Sequence, residues 1–295
     1  MIFIDAGLVL EGGGMRGAYT AGVLDVFLAE IIQFPYVIGV SAGANNGANF
    51  VARQSGRSKR IFINHSQDKR YMGLNNLLKE KSYFGMDFLF DLLPTKIDPF
   101  AYNKFNKAST IFKVVVTNCK NGKPVYMSKK DYEPKFFVKK ILRASSSLPF
   151  ISPSVTIEGG KYRDGGIVDP IPIKKAIQDG YRYNVLVLTR EENYRKDKAK
   201  MNFIYRLLLR KHPEVVNKLE NRHLNYNKCL DFINKLEKEG KVFVFRPDKK
   251  VEIDRLEKDQ DKLRNLYEQG YAETLRKMND FKRWLNTIKK EGEQT

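Results

Sequence analysis

The hydrophobic pattern opens with an apolar run from Gly7 to Leu10 that ends in Glu11 and three glycines, Gly12, Gly13 and Gly14. A short apolar run closed by turn residues predicts a buried strand entering a tight loop. Ala18, Ala21, Val23, Leu24, Phe27 and Leu28 then recur at helical spacing in a stretch that ends before Pro35, which predicts a helix. The next apolar run, Tyr36 to Val40, leads directly into the small residues Ser41 to Ala44 and a second helical stretch. Strand, helix, strand, helix in this order predicts a parallel sheet covered by helices on both faces.

Later strands are predicted at Ile111–Asn118, turning through Asn121-Gly122 into PVYMS from Pro124, at SVTIEGGKY from Ser154, at Asn184–Thr189 and at Lys241–Pro247. After residue 250, Leu256, Leu263, Tyr267, Leu275, Met278, Leu285 and Ile288 recur at helical spacing among Lys and Glu. That pattern predicts amphipathic helices packed on the body. Between Tyr83 and Phe105 stand seven aromatics, interrupted by Pro94 and Pro99, which read as a core flap or a substrate lid.

Composition narrows the class. The 295 residues allow one large domain or a catalytic domain with an appendage, and 42% hydrophobic residues exclude wholesale disorder. Cys119 and Cys229 are too few and too far apart for a disulfide framework or a metal-ligand spacing, so a reducing compartment is expected. The amino terminus carries no Lys or Arg before Arg16, and the richest apolar run, from Met201, is broken by Arg206 and Arg210. Neither an export signal nor a spanning helix is expected, which makes the cytoplasm the expected location. The net charge of +19 is uneven: residues 1–50 carry −3, residues 51–189 carry +14 and residues 190–295 carry +8. A basic body suits an anionic lipid surface or nucleic acid, and is also what a merely solvated surface looks like.

Three motifs carry chemistry. Gly39-Val40-Ser41-Ala42-Gly43 is a G-x-S-x-G between a predicted strand and a predicted helix. Such a turn projects a serine hydroxyl from the sheet, and its flanking glycines avoid side-chain clashes. The bland alternative is a serine helix cap. The second motif, Gly12-Gly13-Gly14-Met15-Arg16-Gly17, offers backbone amides to an anion. Its glycines match the dinucleotide fingerprint, but no acid stands between Ile31 and Phe50 to hold a ribose. An oxyanion hole serving Ser41 is the alternative. The third, Arg163-Asp164-Gly165-Gly166, follows a predicted strand, and its glycines permit a tight turn, which is also how an ordinary Asp-Gly turn reads. His65, His212 and His223 all lie in polar, helical stretches, so a carboxylate, Asp164, is the better candidate base for a nucleophilic serine.

In this order the pieces resemble the patatin-like phospholipase family. Glu11 to Gly17 resembles its Gly-rich oxyanion motif, Gly39 to Gly43 its nucleophile elbow, Asp164-Gly165-Gly166 its D-G-G motif, and Arg143 to Phe150 the segment between elbow and aspartate. The resemblance covers about residues 6–190 and implies a three-layer α/β/α fold with a mainly parallel sheet. It leaves residues 191–295 as a mainly helical C-terminal extension with at least one strand, 241–246. It further implies a serine acyl-ester hydrolase of the phospholipase A type with a Ser41–Asp164 dyad, needing neither cofactor nor metal. In that reading the partner is a lipid or other acyl-ester substrate, with peripheral contact to anionic membrane and no nucleic acid. A silent lipid-binding module and a dinucleotide-dependent oxidoreductase are the competing classes. Arg16 would orient the Gly-rich loop or meet a phosphate headgroup, unless it is only a helix-surface arginine. The oligomeric state is not legible.

Overall fold

The opening apolar run becomes a fully buried strand at the centre of a large sheet in the computed structural model, which describes residues 2–3, 6–149, 151–198, 206–207 and 209–292. Phe150, and most of the apolar run from Met201, lie outside the described residues. The strands are β1 (Ile2–Phe3), β2 (Gly7–Leu10), β3 (Ile32–Gln33), β4 (Tyr36–Val40), β5 (Ile111–Asn118), β6 (Pro124–Ser128), β7 (Val155–Ile157), β8 (Gly160–Asp164), β9 (Asn184–Val187) and β10 (Val242–Phe245). The main sheet runs β10-β9-β2-β4-β5-β8-β7, with β6 also on β5, while β1 and β3 form a separate pair. From β10 to β5 every pairing is parallel; β6 and β8 on β5, and β7 on β8, are antiparallel.

Alternation along the parallel strands sorts their side chains onto two faces. Leu8, Leu10, Val37, Val114 and Val187 face one core, which also holds residues of α1 (Gly17–Ala29), α2 (Ala42–Val51) and the long C-terminal helix. Val9, Ile38, Val40, Val115 and Leu186 face the other, packed by α3 (Ile173–Gln178) and α4 (Arg222–Lys238). At about 1.5–3 kcal/mol for each fully buried aliphatic side chain, these faces supply the main driving force for the three-layer α/β/α arrangement.

The C-terminal third is built into both outer layers. β10 extends the sheet beside β9, α4 covers one face, and α5 (Gln260–Gly292) lies over α1. Gly22 and Gly270 let α1 and α5 approach: a Cβ on Gly22 would sit 2.2 Å from the Tyr267 carbonyl oxygen, and one on Gly270 2.3 Å from that of Tyr19. Tyr19 donates to Glu273 at 2.9 Å and Tyr267 to Asp25 at 2.9 Å across the same contact. With the sheet on one side and α5 on the other, α1 is buried nearly all round rather than along one stripe.

Two expectations need correction. SVTIEGGKY is not one strand but the hairpin β7–β8, because Glu158 (φ 47°) and Gly159 (φ 79°) form a left-handed two-residue turn. The periodic positions after residue 250 lie on a single helix of 33 residues, Leu256 precedes it, and Leu275 faces solvent. Of the two readings of the aromatics between Tyr83 and Phe105, the core one agrees with the structure: Phe88, Phe90, Phe100 and Phe105 are buried, and Tyr83, Phe84 and Tyr102 pack against the core. Among the described residues no helix is long and apolar enough to cross a membrane.

Candidate active site

Ser41 follows the last residue of β4 and precedes the first of α2. The turn is tight because both flanking glycines face backbone. A Cβ on Gly39 would lie 2.8 Å from the Ala44 backbone, and one on Gly43 2.5 Å from the Glu11 carbonyl oxygen. Ser41 itself is held at φ 53°, ψ −123°, a region side-chain-bearing residues rarely adopt and that costs on the order of 1–3 kcal/mol. The strained turn is braced by Ser145, whose hydroxyl accepts from the Ser41 amide at 2.9 Å and donates to the Val115 carbonyl at 2.7 Å.

Strand β5 serves as the common template that brings Asp164 to Ser41. Its residues Val114 and Val115 pair with Gly39 and Val40 of β4, and the next residue, Val116, pairs with Asp164 of β8. Because β6 fills the other edge of β5, β4 and β8 lie end to end along one edge, running toward each other. Their C-terminal ends therefore converge. Asp164 is locked there: Thr117 donates to its carbonyl at 2.8 Å, and its amide reaches the Ser147 carbonyl at 3.1 Å. Gly165 must lack a side chain, since a Cβ would lie 2.3 Å from the Val115 carbonyl oxygen.

Asp164 is 1% exposed. Its Oδ1 accepts from the Gly166 amide at 2.7 Å, whereas Oδ2 has no hydrogen-bond partner among the described residues. Burial raises its pKa above the ordinary carboxylate value, against the opposing pull of the Ser41 hydroxyl, the Gly166 amide, Arg222 and Arg255.

The Gly-rich segment runs from β2 through one turn of 3-10 helix at Gly14–Arg16 into α1. The Gly12 amide bonds the Pro170 carbonyl at 3.4 Å, and the Met15 amide bonds that of Arg255 at 3.2 Å. Among the described residues the amides of Gly13 and Gly14 have no acceptor. Gly14 stands at φ 60°, where glycine is favoured. Beneath the loop, buried Glu11 accepts from Tyr226 at 2.5 Å, from the Thr189 amide at 2.6 Å and from the Thr189 hydroxyl at 3.0 Å. Arg16 is buried, not a surface arginine, and burial followed by repulsion from Arg190 and Arg255 lowers its pKa to about 10.

Two cavities meet at Ser41. One, of about 100 Å³, is walled largely by apolar side chains, including Met15, Phe62, Tyr71, Met86, Phe90 and Leu142. The aromatic segment thus supplies much of its wall. The other, a small polar recess open to solvent, is lined by Gly12, Gly13, Gly14, Ser41, Leu148, Asp164, Gly166, Arg222 and Arg255. No histidine lines either; His212 is instead engaged with the Cys119 carbonyl at 3.1 Å.

The structure therefore brings together Ser41, Asp164, Gly12, Gly13 and Gly14 around one small cavity, with Gly39, Val40, Ala42, Gly43, Gly165 and Gly166 forming the turns that place them. Met15 packs in the larger cavity's wall, Arg16 lies behind the loop, and Gly17 begins α1. Sequence reasoning missed Arg222 and Arg255, and assigned no role to Ser145 or Glu11. A run of three serines before Leu148 was the signal for Ser145; the arginines had none.

The model of the patatin-like phospholipase family matches residues 8–177, and that of a domain of unknown function, DUF6363, matches residues 212–286. The chain is 31% identical over 193 residues to the "Uncharacterized protein YjjU" of Escherichia coli (strain K12), covering 62% of this chain and 51% of that protein. It is 26% identical over 179 residues to "Lysophospholipase nte1" of Aspergillus terreus, covering 57% of this chain and 11% of that protein. With "Probable lipid hydrolase 463L" of Invertebrate iridescent virus 6 the figures are 27% over 190 residues, 58% and 63%. The chain thus spans about half the length of its Escherichia coli relative. The solved structure of VipD from Legionella pneumophila superposes with a TM-score of 0.53 at 12% identity, over 96% of this chain and 67% of that one, a likeness of fold alone.

Proposed function

Because this chain belongs to the patatin-like phospholipase family, we propose that it hydrolyses acyl esters of lipids with Ser41 as nucleophile and Asp164 as its base. The observation that carries the reading is the buried, unpartnered Oδ2 of Asp164 beside the strained Ser41 turn, where an apolar and a polar cavity meet. Asp164 accepts the hydroxyl proton as Ser41 Oγ attacks the ester carbonyl, and the free amides of Gly13 and Gly14 receive the developing oxyanion. Collapse expels the alcohol, protonated by Asp164. Water, deprotonated by the same carboxylate, then attacks the acyl-enzyme and restores Ser41. An ordinary carboxylate, with a pKa near 4, is a weak base for an alcohol. The burial that raises Asp164 narrows that mismatch. The apolar lining of the larger cavity is suited to an acyl chain.

An activated serine attacks phosphorus as it attacks carbon. A fluorophosphonate probe is therefore expected to add one adduct, on Ser41, in intact-mass analysis and peptide mapping. An unmodified folded wild type would overturn the nucleophile assignment.

We propose that the chain also meets anionic membrane peripherally, through one exposed helix. Leu74 and Leu78 are 73% and 88% exposed on the short helix Leu74–Glu80, between the cavity residues Tyr71 and Phe84 and beside exposed Lys79 and Lys81. Exposed leucines next to lysines match an anionic headgroup layer. Leu74→Asp/Leu78→Asp is expected to reduce sedimentation with anionic vesicles several-fold, and wild-type binding should fall between about 0.05 and 0.5 M salt as the Debye length contracts from roughly 14 to 4 Å. Binding untouched by both changes would remove this helix from the account.

A further inference from the structure

We propose that Arg222 and Arg255, both supplied by the C-terminal third, form an anion subsite beside Ser41 that takes a phosphate group on the alcohol side of the ester. The inference rests on the hydrolase reading for its placement relative to the ester, and on the small cavity for the anion itself. Arg222 spends its Nε–H on the Gly166 carbonyl at 2.5 Å. Among the described residues its two terminal amino groups have no acceptor, the Arg255 guanidinium has none at all, and neither arginine forms an ion pair. Both line the cavity that holds Ser41, Asp164 and the Gly-rich loop.

Charge around that cavity is unbalanced. Arg16, Arg190, Lys196, Arg222 and Arg255 act on one another there, while Glu11 and Asp164 are the carboxylates that enter the same group. Glu11 is already occupied by Tyr226 and Thr189. Burial, followed by repulsion from Arg222, Arg255 and Arg16, lowers the Lys196 ammonium to about pKa 7. Arg16 is buried and the other four cations are half-buried, and cations withdrawn from water are ordinarily paired, so this excess is stabilised by an incoming anion. Two guanidinium groups present the forked donors that match phosphate oxygens. The geometry also assigns the sides of the ester. The apolar cavity and the cationic cavity share Gly14, Ser41 and Leu148, so an ester carbonyl at Ser41 has its acyl chain in one and its alcohol in the other.

The test separates binding from hydrolysis. In the Ser41→Ala protein, which cannot turn over substrate, calorimetric titration with inorganic phosphate and with a 1-acyl-glycerol 3-phosphate is expected to show binding that Arg255→Gln weakens by about 10- to 100-fold. Arg222→Gln should act in the same direction. Tighter binding of the acylated phosphate identifies a lipid headgroup as the source; equal binding identifies free phosphate, and in both cases the subsite stands. In the protein with Ser41 intact, the ratio of kcat/KM for the phosphorylated ester to that for a neutral monoacylglycerol of the same chain should drop by a similar factor in Arg255→Gln. Absence of phosphate binding at 10 mM or above, or equal losses on both esters in a folded Arg255→Gln protein, would overturn the subsite. Phosphate binding that depends on Arg255, in a protein hydrolysing neither ester, would instead support the subsite and remove the hydrolase reading.

Discussion

Asp164→Asn is expected to lower ester turnover by about 10²- to 10⁴-fold while leaving the protein at least as stable as wild type at neutral pH. The loss follows from removing the carboxylate that the Ser41 hydroxyl acts on and whose Oδ2 no other group occupies among the described residues. The stability follows from the sign of the pKa shift. Burial raises Asp164 in the folded state, so the stability linked to its protonation is present at low pH and is lost as pH rises through the folded pKa. At neutral pH the native protein therefore bears the cost of a buried carboxylate, which asparagine removes while its Oδ1 still accepts from the Gly166 amide. The same shift sets the pH profile: turnover should fall as acid protonates Asp164, on a limb lying above the ordinary carboxylate range near pH 4. Ser41→Ala should reduce turnover to background, and the double variant should be scarcely worse, because members of one catalytic unit do not add. Replacing His65, His212 or His223 should leave turnover within about threefold, since none lines either cavity at Ser41. Thermal melts beside initial rates check all of this; near-normal turnover in Asp164→Asn, or a histidine variant that is inactive yet folded, would remove the dyad.

What could be read in the sequence was what is locally determined. A glycine-flanked serine after a buried strand specifies its own turn, because the clashes it avoids, with Ala44, Leu10 and Glu11, follow from strand leading straight into helix. The Asn121-Gly122 hairpin is local in the same sense. The β7–β8 hairpin was equally local, and the glycines after Glu158 were its signal, outweighed by the apolar alternation on either side. The long-range features carried no such mark. Glu11 meets Thr189 across 178 positions and Tyr226 across 215, and periodicity does not report a partner that far away. The inward turn of Phe84, Phe90 and Phe100 also depends on a cavity wall assembled from several other segments, including Phe62, Tyr71 and Leu142. Arg222 and Arg255 read as surface charge in a basic, helical stretch. Only the placement of α4 and of the loop before α5 turns them toward Ser41.

Gly14→Ala is expected to cost about 10² to 10³ in kcat, with a much smaller effect on KM, by displacing the amides that receive the oxyanion. Two independent features make the position intolerant. At φ 60° an alanine is strained by about 1–2 kcal/mol. Its Cβ would also stand 2.7 Å from the Arg255 carbonyl oxygen and 3.1 Å from the Arg255 Cβ. That carbonyl cannot retreat freely, because the Met15 amide, next along the same loop, is bonded to it at 3.2 Å. The loop must move instead, and Gly13 and Gly14 carry its two free amides. Gly180→Ala separates strain from displacement: Gly180 has φ 99° with nothing within 4 Å of a Cβ, and it lines neither cavity at Ser41. Both variants should melt a few degrees below wild type, but only Gly14→Ala should lose turnover and react slowly with a fluorophosphonate. If Gly14→Ala keeps its kcat within about threefold of Gly180→Ala, the oxyanion is stabilised elsewhere. The first turn of α2, whose amides follow Ser41, would then be the place to look.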